Sequence, residues 1–149
     1  MSGAVIDASV AVKWVVDEPA SLAAAALLSA GPLQAPDLLL VECANVLWKK
    51  ARRGELSADE AKLAIRLLAQ ADLELLPSRH LVGQALQLAQ ALDHSAYDCL
   101  YLAQALASGR PLVTADARFA RLAAELRRLT AGRSATPAED LLREARDAR

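Results

Sequence analysis

Aromatic residues, cysteines and histidines are all scarce in this chain of 149 residues. Aromatic side chains make up only 3% of the sequence, which is too few for a platform on which successive nucleic-acid bases stack. The two cysteines, Cys43 and Cys99, form neither a CxxC motif nor a cysteine–histidine spacing typical of zinc sites. Both lie among apolar residues, so we interpret them as reduced residues of the hydrophobic core.

Long apolar runs are also absent, since no segment approaches the roughly 20 residues that a membrane-spanning helix needs. The N-terminal residues lack the basic start and the cleavage-site pattern of a secretory signal. We therefore expect a cytoplasmic protein with no membrane partner. The net charge of −1 gives no overall attraction to nucleic acid. Basic residues do cluster locally, and such a cluster can bind phosphates: Lys49, Lys50, Arg52 and Arg53.

Short apolar segments alternate with helix-forming segments along the chain. Strands are predicted at residues 4–6, 33–35, 73–76 and 111–114, with a weaker fifth at 126–130. Asp37 is the predicted N-cap of one helix, and Ser57 with Glu60 forms a capping box at the start of the next. The alternation predicts an α/β fold of three layers, with a parallel sheet of four to five short strands between helices. We expect one domain over residues 1–130 and a charged tail with a short helix over 131–149.

Four acidic residues lie where a site is expected to form. Asp7 and Asp116 each follow a predicted strand, and the carboxyl ends of parallel strands share one edge of a sheet. Glu42 and Asp98 interrupt otherwise apolar helices near their starts, from which they can reach the same edge. Four carboxylates gathered there need a cation, and hard oxygen ligands suit Mg²⁺ or Mn²⁺. Such ions activate water and stabilise in-line displacement at phosphorus.

Three of these acids also have a purely structural interpretation. Asp7 and Asp116 are each suited to cap the helix that follows them. Ser95 and Asp98 have the spacing of an ordinary capping box. Spacing alone leaves the metal site and the structural interpretation equally open.

Glu42 begins a polar stripe on its helix. Asn45, Lys49 and Arg52 follow it at helical spacing, and most such stripes are solvent-exposed faces. Glu42 nevertheless has no basic residue three or four positions later, so an ion pair within the helix does not explain it.

Taken together, four segments resemble the PIN-domain family. They are Asp7-Ala8-Ser9 with Trp14 and Asp17-Glu18-Pro19; Pro36-Asp37-Leu38 with Glu42-Cys43-Ala44-Asn45-Val46-Leu47; Ala96-Tyr97-Asp98-Cys99-Leu100-Tyr101-Leu102-Ala103; and Leu112-Val113-Thr114-Ala115-Asp116 with Phe119. Their order and spacing agree with the family over about residues 4–125. The chain is most similar to the small stand-alone toxins of the VapC-like type. It departs from the family at its end, where residues 126–129 make a poor last strand.

The resemblance implies a metal-dependent endoribonuclease that acts as the toxin of a toxin–antitoxin pair. It implies a homodimer, an RNA substrate and inhibition by a cognate antitoxin protein. By the same resemblance, the quartet that holds Mg²⁺ (or Mn²⁺) and carries catalysis is Asp7, Glu42, Asp98 and Asp116. Three polar residues support that quartet: Ser9, Thr114 and Asn45. Neither histidine, His80 or His94, receives a role.

Lys49 and Arg52 continue the Glu42 stripe, so we expect them to contact RNA phosphates. Two other functions remain open. One is a PIN-fold nuclease that processes RNA without a toxin role, which the absence of growth arrest on expression would indicate. The other is a non-catalytic protein-binding module whose acids are only helix caps, and whose stability would not depend on divalent ions.

Overall fold

The computed structural model describes residues 3–131 together with Arg143 and Asp147, which are both helical. Its strands are β1 (Ala4–Ile6), β2 (Leu33–Pro36), β3 (Glu74–Leu76) and β4 (Leu112–Val113). Its α-helices are α1 (Ala8–Ala11), α2 (Ser21–Ala26), α3 (Leu39–Arg52), α4 (Ala58–Ala69), α5 (Val82–Leu92), α6 (Ala96–Ser108) and α7 (Ala117–Thr130). Single 3₁₀ turns extend α1 and α2, and another precedes α5.

The sheet is parallel throughout, and its strand order is β3-β2-β1-β4. In the register of the two strands nearest the site, Ile6 of β1 lies opposite Val113 of β4. Every strand end therefore points to the same edge, as expected for strands joined by helical crossovers. The helices flank this sheet, which confirms the predicted three-layer α/β/α fold with four strands in the described part of the chain.

Helix α6 is the most deeply buried of the described helices, with every residue from Cys99 to Ala105 buried. It contacts β1, β2 and β4 on one side and packs against α5 and α7 on another. A helix enclosed in this way is apolar nearly all round. That environment explains why Asp98 stands out in its sequence, because it lies in the exposed first turn of α6, immediately before the buried segment. Cys43 and Cys99 are both buried and free, as predicted.

Two local predictions were wrong. Asp37 does not cap α3, because Leu38 occupies the cap position and Asp37 Oδ1 instead accepts a hydrogen bond of 2.6 Å from Ser78 Oγ. Residues 126–130 do not form a fifth strand but complete α7, whose apolar residues recur at helical spacing and bury one face. The capping box of Ser57 and Glu60 is confirmed by both of its reciprocal hydrogen bonds.

The predicted tail falls outside the described residues except for residue 131 and the two helical positions already named. Over the part of the chain that is described, no helix is both long enough and apolar enough to span a bilayer.

Candidate functional site

Asp7 lies at the carboxyl end of β1, where the strand gives way to α1. Its side chain is 6% exposed, and its Oδ1 accepts hydrogen bonds from Val10 N (3.3 Å) and Ser9 Oγ (2.5 Å). The residue therefore caps α1, as the structural interpretation predicted. Burial raises the pKa of Asp7, as does the nearby Asp98 charge, while hydrogen bonds from Ser9 and Thr114 oppose the rise.

Ser9 and Thr114 join the ends of β1 and β4. Ser9 Oγ accepts a hydrogen bond of 2.9 Å from Ala115 N and lies 3.4 Å from Thr114 Oγ1. This contact follows from the register, because the residues after Ile6 and Val113 leave neighbouring strands side by side. Two of the three predicted supporting residues, Ser9 and Thr114, are thus adjacent to Asp7.

Asp116 lies three residues after the end of β4 and caps α7, as Asp7 caps α1. Its Oδ1 accepts a hydrogen bond of 3.1 Å from Phe119 N, and its own N–H donates to Thr114 Oγ1 at 3.2 Å. The side chain is exposed. It shares the edge of the sheet with Asp7 and sits at the rim of the candidate site.

Glu42 lies in the first turn of α3 and is only partly exposed. Its Oε1 is buried and has no hydrogen-bond partner among the described residues. Burial, together with the charges of Asp98 and Asp7, raises the pKa of Glu42 to about 7. The nearby buried Tyr101 hydroxyl favours the ionised carboxylate and so opposes the rise in the Glu42 pKa. The Tyr101 hydroxyl itself has no hydrogen bond of good geometry among the described residues.

Asp98 lies in the first turn of α6 beside a histidine that the sequence reasoning left without a role. Ser95 caps the helix by accepting a hydrogen bond of 3.2 Å from Asp98 N. The Asp98 carboxylate does not complete a capping box; its Oδ2 lies 2.8 Å from His94 Nε2. The ring of His94 stacks on Phe119 at 4.4 Å between centroids. The spacing of four residues between His94 and Asp98 is the only sequence signal for this pair.

A cavity of about 410 Å³ opens at this edge of the sheet. The acidic residues of the predicted quartet that line it are Asp7, Glu42 and Asp98. Asp116 is not among the lining residues, although the preceding Ala115 is. The basic residues that line the cavity are Lys13, Lys49, Lys50 and Arg53.

Two residues of the predicted Glu42 stripe do not line this cavity. Asn45 is exposed, and Arg52 lies over the ring of Trp48 at 5.0 Å from its centroid. At 3.6 residues per turn, their positions three and ten residues after Glu42 are turned away from the face that Glu42 presents to the cavity. Lys49, seven residues after Glu42, stays on the same face and does line it. Arg53, which the sequence reasoning placed only in a general basic cluster, also lines it.

The carboxylates around the cavity fit a divalent cation by their chemistry. They are hard oxygen donors, they repel one another, and one buried oxygen of Glu42 has no partner among the described residues. Within the described residues, no three histidine, cysteine or acidic side chains already converge closely enough to hold a metal ion. Mg²⁺ does not require three converging side chains, because it usually keeps several waters and binds through one or two carboxylates and substrate phosphates.

Comparisons with known proteins agree with this arrangement. The family model described as PIN domain matches residues 4–125. Ribonuclease VapC3 of Pyrobaculum aerophilum is 37% identical over 121 residues, covering 78% of this chain and 91% of that protein. The crystal structure of Mycobacterium tuberculosis VapC20, described as a sarcin-ricin loop cleaving toxin, matches with a TM-score of 0.64. At 17% identity, it covers 79% of this chain and 93% of that one, and it supports the fold.

The region that the PIN family model matches includes all four strands of the described residues. The chain belongs to the PIN-domain family and is a VapC-like member of it.

Proposed function

We propose that this protein is a divalent-metal-dependent endoribonuclease that acts as the toxin of a toxin–antitoxin pair. Its family and its relative Ribonuclease VapC3 support the ribonuclease activity. The observation that carries the proposal is the meeting of Asp7, Glu42 and Asp98, from three distant segments, around one cavity. Helix caps alone would not require these charges to share a space in which, besides burial, the Asp98 charge raises the pKa of both Asp7 and Glu42.

In this proposal Asp7, Glu42 and Asp98 hold Mg²⁺ or Mn²⁺, and Asp116 completes the set from the rim. The bound ion supplies an activated water and charge stabilisation at phosphorus. Ser9 orients Asp7 through its 2.5 Å hydrogen bond, and Thr114 supports Ser9 from β4. Lys49, which lines the same cavity, contacts an RNA phosphate. Asn45 and Arg52 are left without a contact to the substrate, since neither lines the cavity.

The resemblance also motivates three further proposals: a homodimer, an antitoxin partner and a cytoplasmic location. Helices α3 and α4 pack together and leave large apolar side chains exposed, namely Val41, Trp48, Leu63 and Leu67. Such a surface suits a protein partner. Light scattering of the purified protein tests the dimer, and co-expression with the protein of a neighbouring gene tests the antitoxin.

The deciding experiment compares the wild type with Asp98→Asn. We expect the wild type to bind Mg²⁺ or Mn²⁺ in calorimetry and to cleave a pooled RNA, and we expect EDTA to stop cleavage. Asp98→Asn should lose both properties while keeping its fold, because the amide is nearly isosteric and the Ser95 cap uses only the backbone. Asp93→Asn is the matched control, since Asp93 is exposed and lies outside the cavity.

If the wild type binds no more divalent ion than Asp98→Asn and cuts no RNA, the protein is a binding module and its acids are helix caps. Growth arrest on expression separates a toxin from an RNA-processing nuclease. The toxin proposal requires arrest by the wild type and none by Asp98→Asn.

A further inference from the structure

One wall of the cavity is basic. Lys49, Lys50 and Arg53 come from the end of α3, and Lys13 comes from the 3₁₀ turn that follows α1. Glu42 lies in the first turn of the same helix, so the Cα atoms of Glu42 and Lys49 are about 10 Å apart along the helix axis. An RNA strand that places one phosphate at the acids therefore brings its neighbouring phosphates to the basic wall.

A carboxylate already occupies part of this wall. Glu18 Oε2 accepts a hydrogen bond of 3.0 Å from Lys13 Nζ, and Glu18 Oε1 forms an ion pair with Lys50 Nζ. Lys50 Nζ also lies 3.3 Å from Glu55 Oε2. The two lysine side chains are only 14% and 16% exposed, so both ammonium groups are held in place before any ligand arrives. Although burial opposes it, the two lysines lower the pKa of Glu18, which therefore stays ionised.

Hydrogen bonds other than these ion pairs also anchor the loop that carries Glu18. Trp14 Nε1 donates to Ala24 O at 2.8 Å, Ser21 Oγ donates to Val16 O at 3.1 Å, and Glu18 N donates to Ser21 Oγ at 2.9 Å. These three bonds already fix the chain from the end of α1 to the start of α2. Four acids and four bases line the whole cavity, but among the described ion pairs only Lys13 and Lys50 have carboxylate partners, so Lys49 and Arg53 leave a local surplus of positive charge at the basic end. That local surplus suits a phosphate group, whereas the acids would accept a neighbouring phosphate only through a bound cation.

We propose that Lys13 and Lys50, together with Lys49 and Arg53, form a binding subsite for the RNA phosphates that flank the scissile bond, and that Glu18 occupies this subsite until RNA displaces it. The inference rests on the proposed ribonuclease function and names how that site holds its substrate. Each ammonium group has three donors, and Glu18 takes one from each lysine. A phosphate that replaces Glu18 finds both cations in position and needs no rearrangement of α3.

Binding without cleavage tests the subsite. Fluorescence anisotropy of a labelled single-stranded RNA is measured in EDTA over a series of salt concentrations. We expect Lys50→Gln and Lys13→Gln each to weaken binding several-fold. Each should also make the negative slope of log K against log salt shallower by about 0.7, the value for one phosphate contact on a single strand. Lys50→Arg keeps the charge and should keep the slope. Lys62→Gln, on the exposed face of α4, is the control and should match the wild type.

Glu18→Gln provides the opposite test. Removing the competing carboxylate should tighten RNA binding several-fold, because the phosphate no longer has to displace a charge. If Glu18→Gln instead weakens binding, or if Lys50→Gln has the same slope as Lys62→Gln, the ion pairs are a structural brace and the subsite is wrong. Thermal melting of each variant confirms that it is folded.

Cleavage assays distinguish the two proposals. If the wild type cuts RNA but Lys50→Gln does not change the slope of log K against log salt, the subsite is wrong and the ribonuclease function stands. A slope that depends on Lys50 in a protein that cuts no RNA supports the subsite and overturns the ribonuclease function.

Discussion

His94 Nε2 lies 2.8 Å from Asp98 Oδ2 while the His94 ring stacks on Phe119, whose N–H donates to Asp116 Oδ1. The third and fourth acids of the predicted quartet are therefore joined through one histidine and one phenylalanine. The start of α6 and the start of α7 cannot shift independently without breaking this link. We interpret His94 as a positioning residue that fixes the orientation of the Asp98 carboxylate.

A substitution of His94 can remove its hydrogen bond to Asp98 while keeping its ring contact with Phe119. His94→Phe keeps an aromatic ring against Phe119 but removes the donor to Asp98. We expect metal affinity or kcat to fall about 10- to 100-fold, as is usual when the partner of a metal-binding carboxylate is removed. Calorimetric titration with Mn²⁺ and single-turnover cleavage measure the two quantities. His80→Phe is the control, since His80 is exposed, and equal behaviour of the two variants would contradict the positioning role.

The stability of the metal-free protein should depend on pH through Glu42. Burial beside Asp98 and Asp7 raises its pKa from 4.5 to about 7 in the folded state. Between these values the folded protein binds more protons than the unfolded chain, so the free energy of unfolding falls as pH rises through this window. Urea denaturation in EDTA on both sides of the window measures the effect.

Glu42→Gln should flatten this pH dependence and raise the stability of the metal-free protein above pH 7, because no charge is then buried. Asp7, whose pKa is also raised mainly by burial, leaves a remaining dependence of the same sign. Added Mg²⁺ should stabilise the wild type above pH 7 and have little effect on Glu42→Gln. If the free energy of unfolding depends on pH equally in the two proteins, ionisation of Glu42 does not destabilise the folded state.

Ser9→Ala should loosen the joint between β1 and β4. The change removes the donor to Asp7 Oδ1 and the acceptor for Ala115 N, at an expected cost of about 1–3 kcal/mol in the free energy of unfolding. Urea denaturation measures the cost, and faster hydrogen exchange of the Ala115 amide would locate it. Ser29→Ala is the control, because Ser29 is exposed and bonds only within its own turn. An unchanged Ala115 amide would show that the joint does not depend on Ser9.

Gly3→Ala should destabilise the protein more than Gly109→Ala. Both glycines have φ of +67°, so each alanine incurs about 1–2 kcal/mol of backbone strain. A Cβ on Gly3 would also lie 2.4 Å from Pro32 O, whereas a Cβ on Gly109 meets no atom within 4 Å. Gly3→Ala must therefore shift the start of β1 against the residues before β2. Thermal melting compares the variants, and equal losses would mean that the chain near Gly3 adapts freely.

The sequence predicted those features that depend on neighbouring residues or on a regular period. The alternation of apolar strands and helices predicted the three-layer fold, and strand ends predicted that Asp7 and Asp116 share one edge. The strand expected at 126–130 failed because a short apolar pattern does not distinguish a strand from a buried helix face. Leu126 belongs to the helical series that begins with Phe119.

Contacts between distant segments could not be predicted in the same way. Lys13, Glu18 and Lys50 meet because α1 and α3 pack together, and no local pattern specifies that pairing. Arg52 was expected to contact RNA because it continues a stripe, yet its stacking on Trp48 draws it to another face. Helical spacing limits a side chain to a sector of the helix, and neighbouring side chains, here Trp48 one turn earlier in α3, decide where within that sector it lies.

The hydrogen bond between Ser9 and Ala115 closes a loop of 106 residues. Asp7 and Glu42 are synthesised early, but Asp98 comes more than 50 residues after Glu42, and the segment after β4 that supports Ser9 comes later still. An incomplete chain therefore carries two acids without the partners that orient them. The order of the segments delays assembly of the site until most of the protein has left the ribosome, a particle made largely of the kind of polymer that the finished protein is proposed to cut.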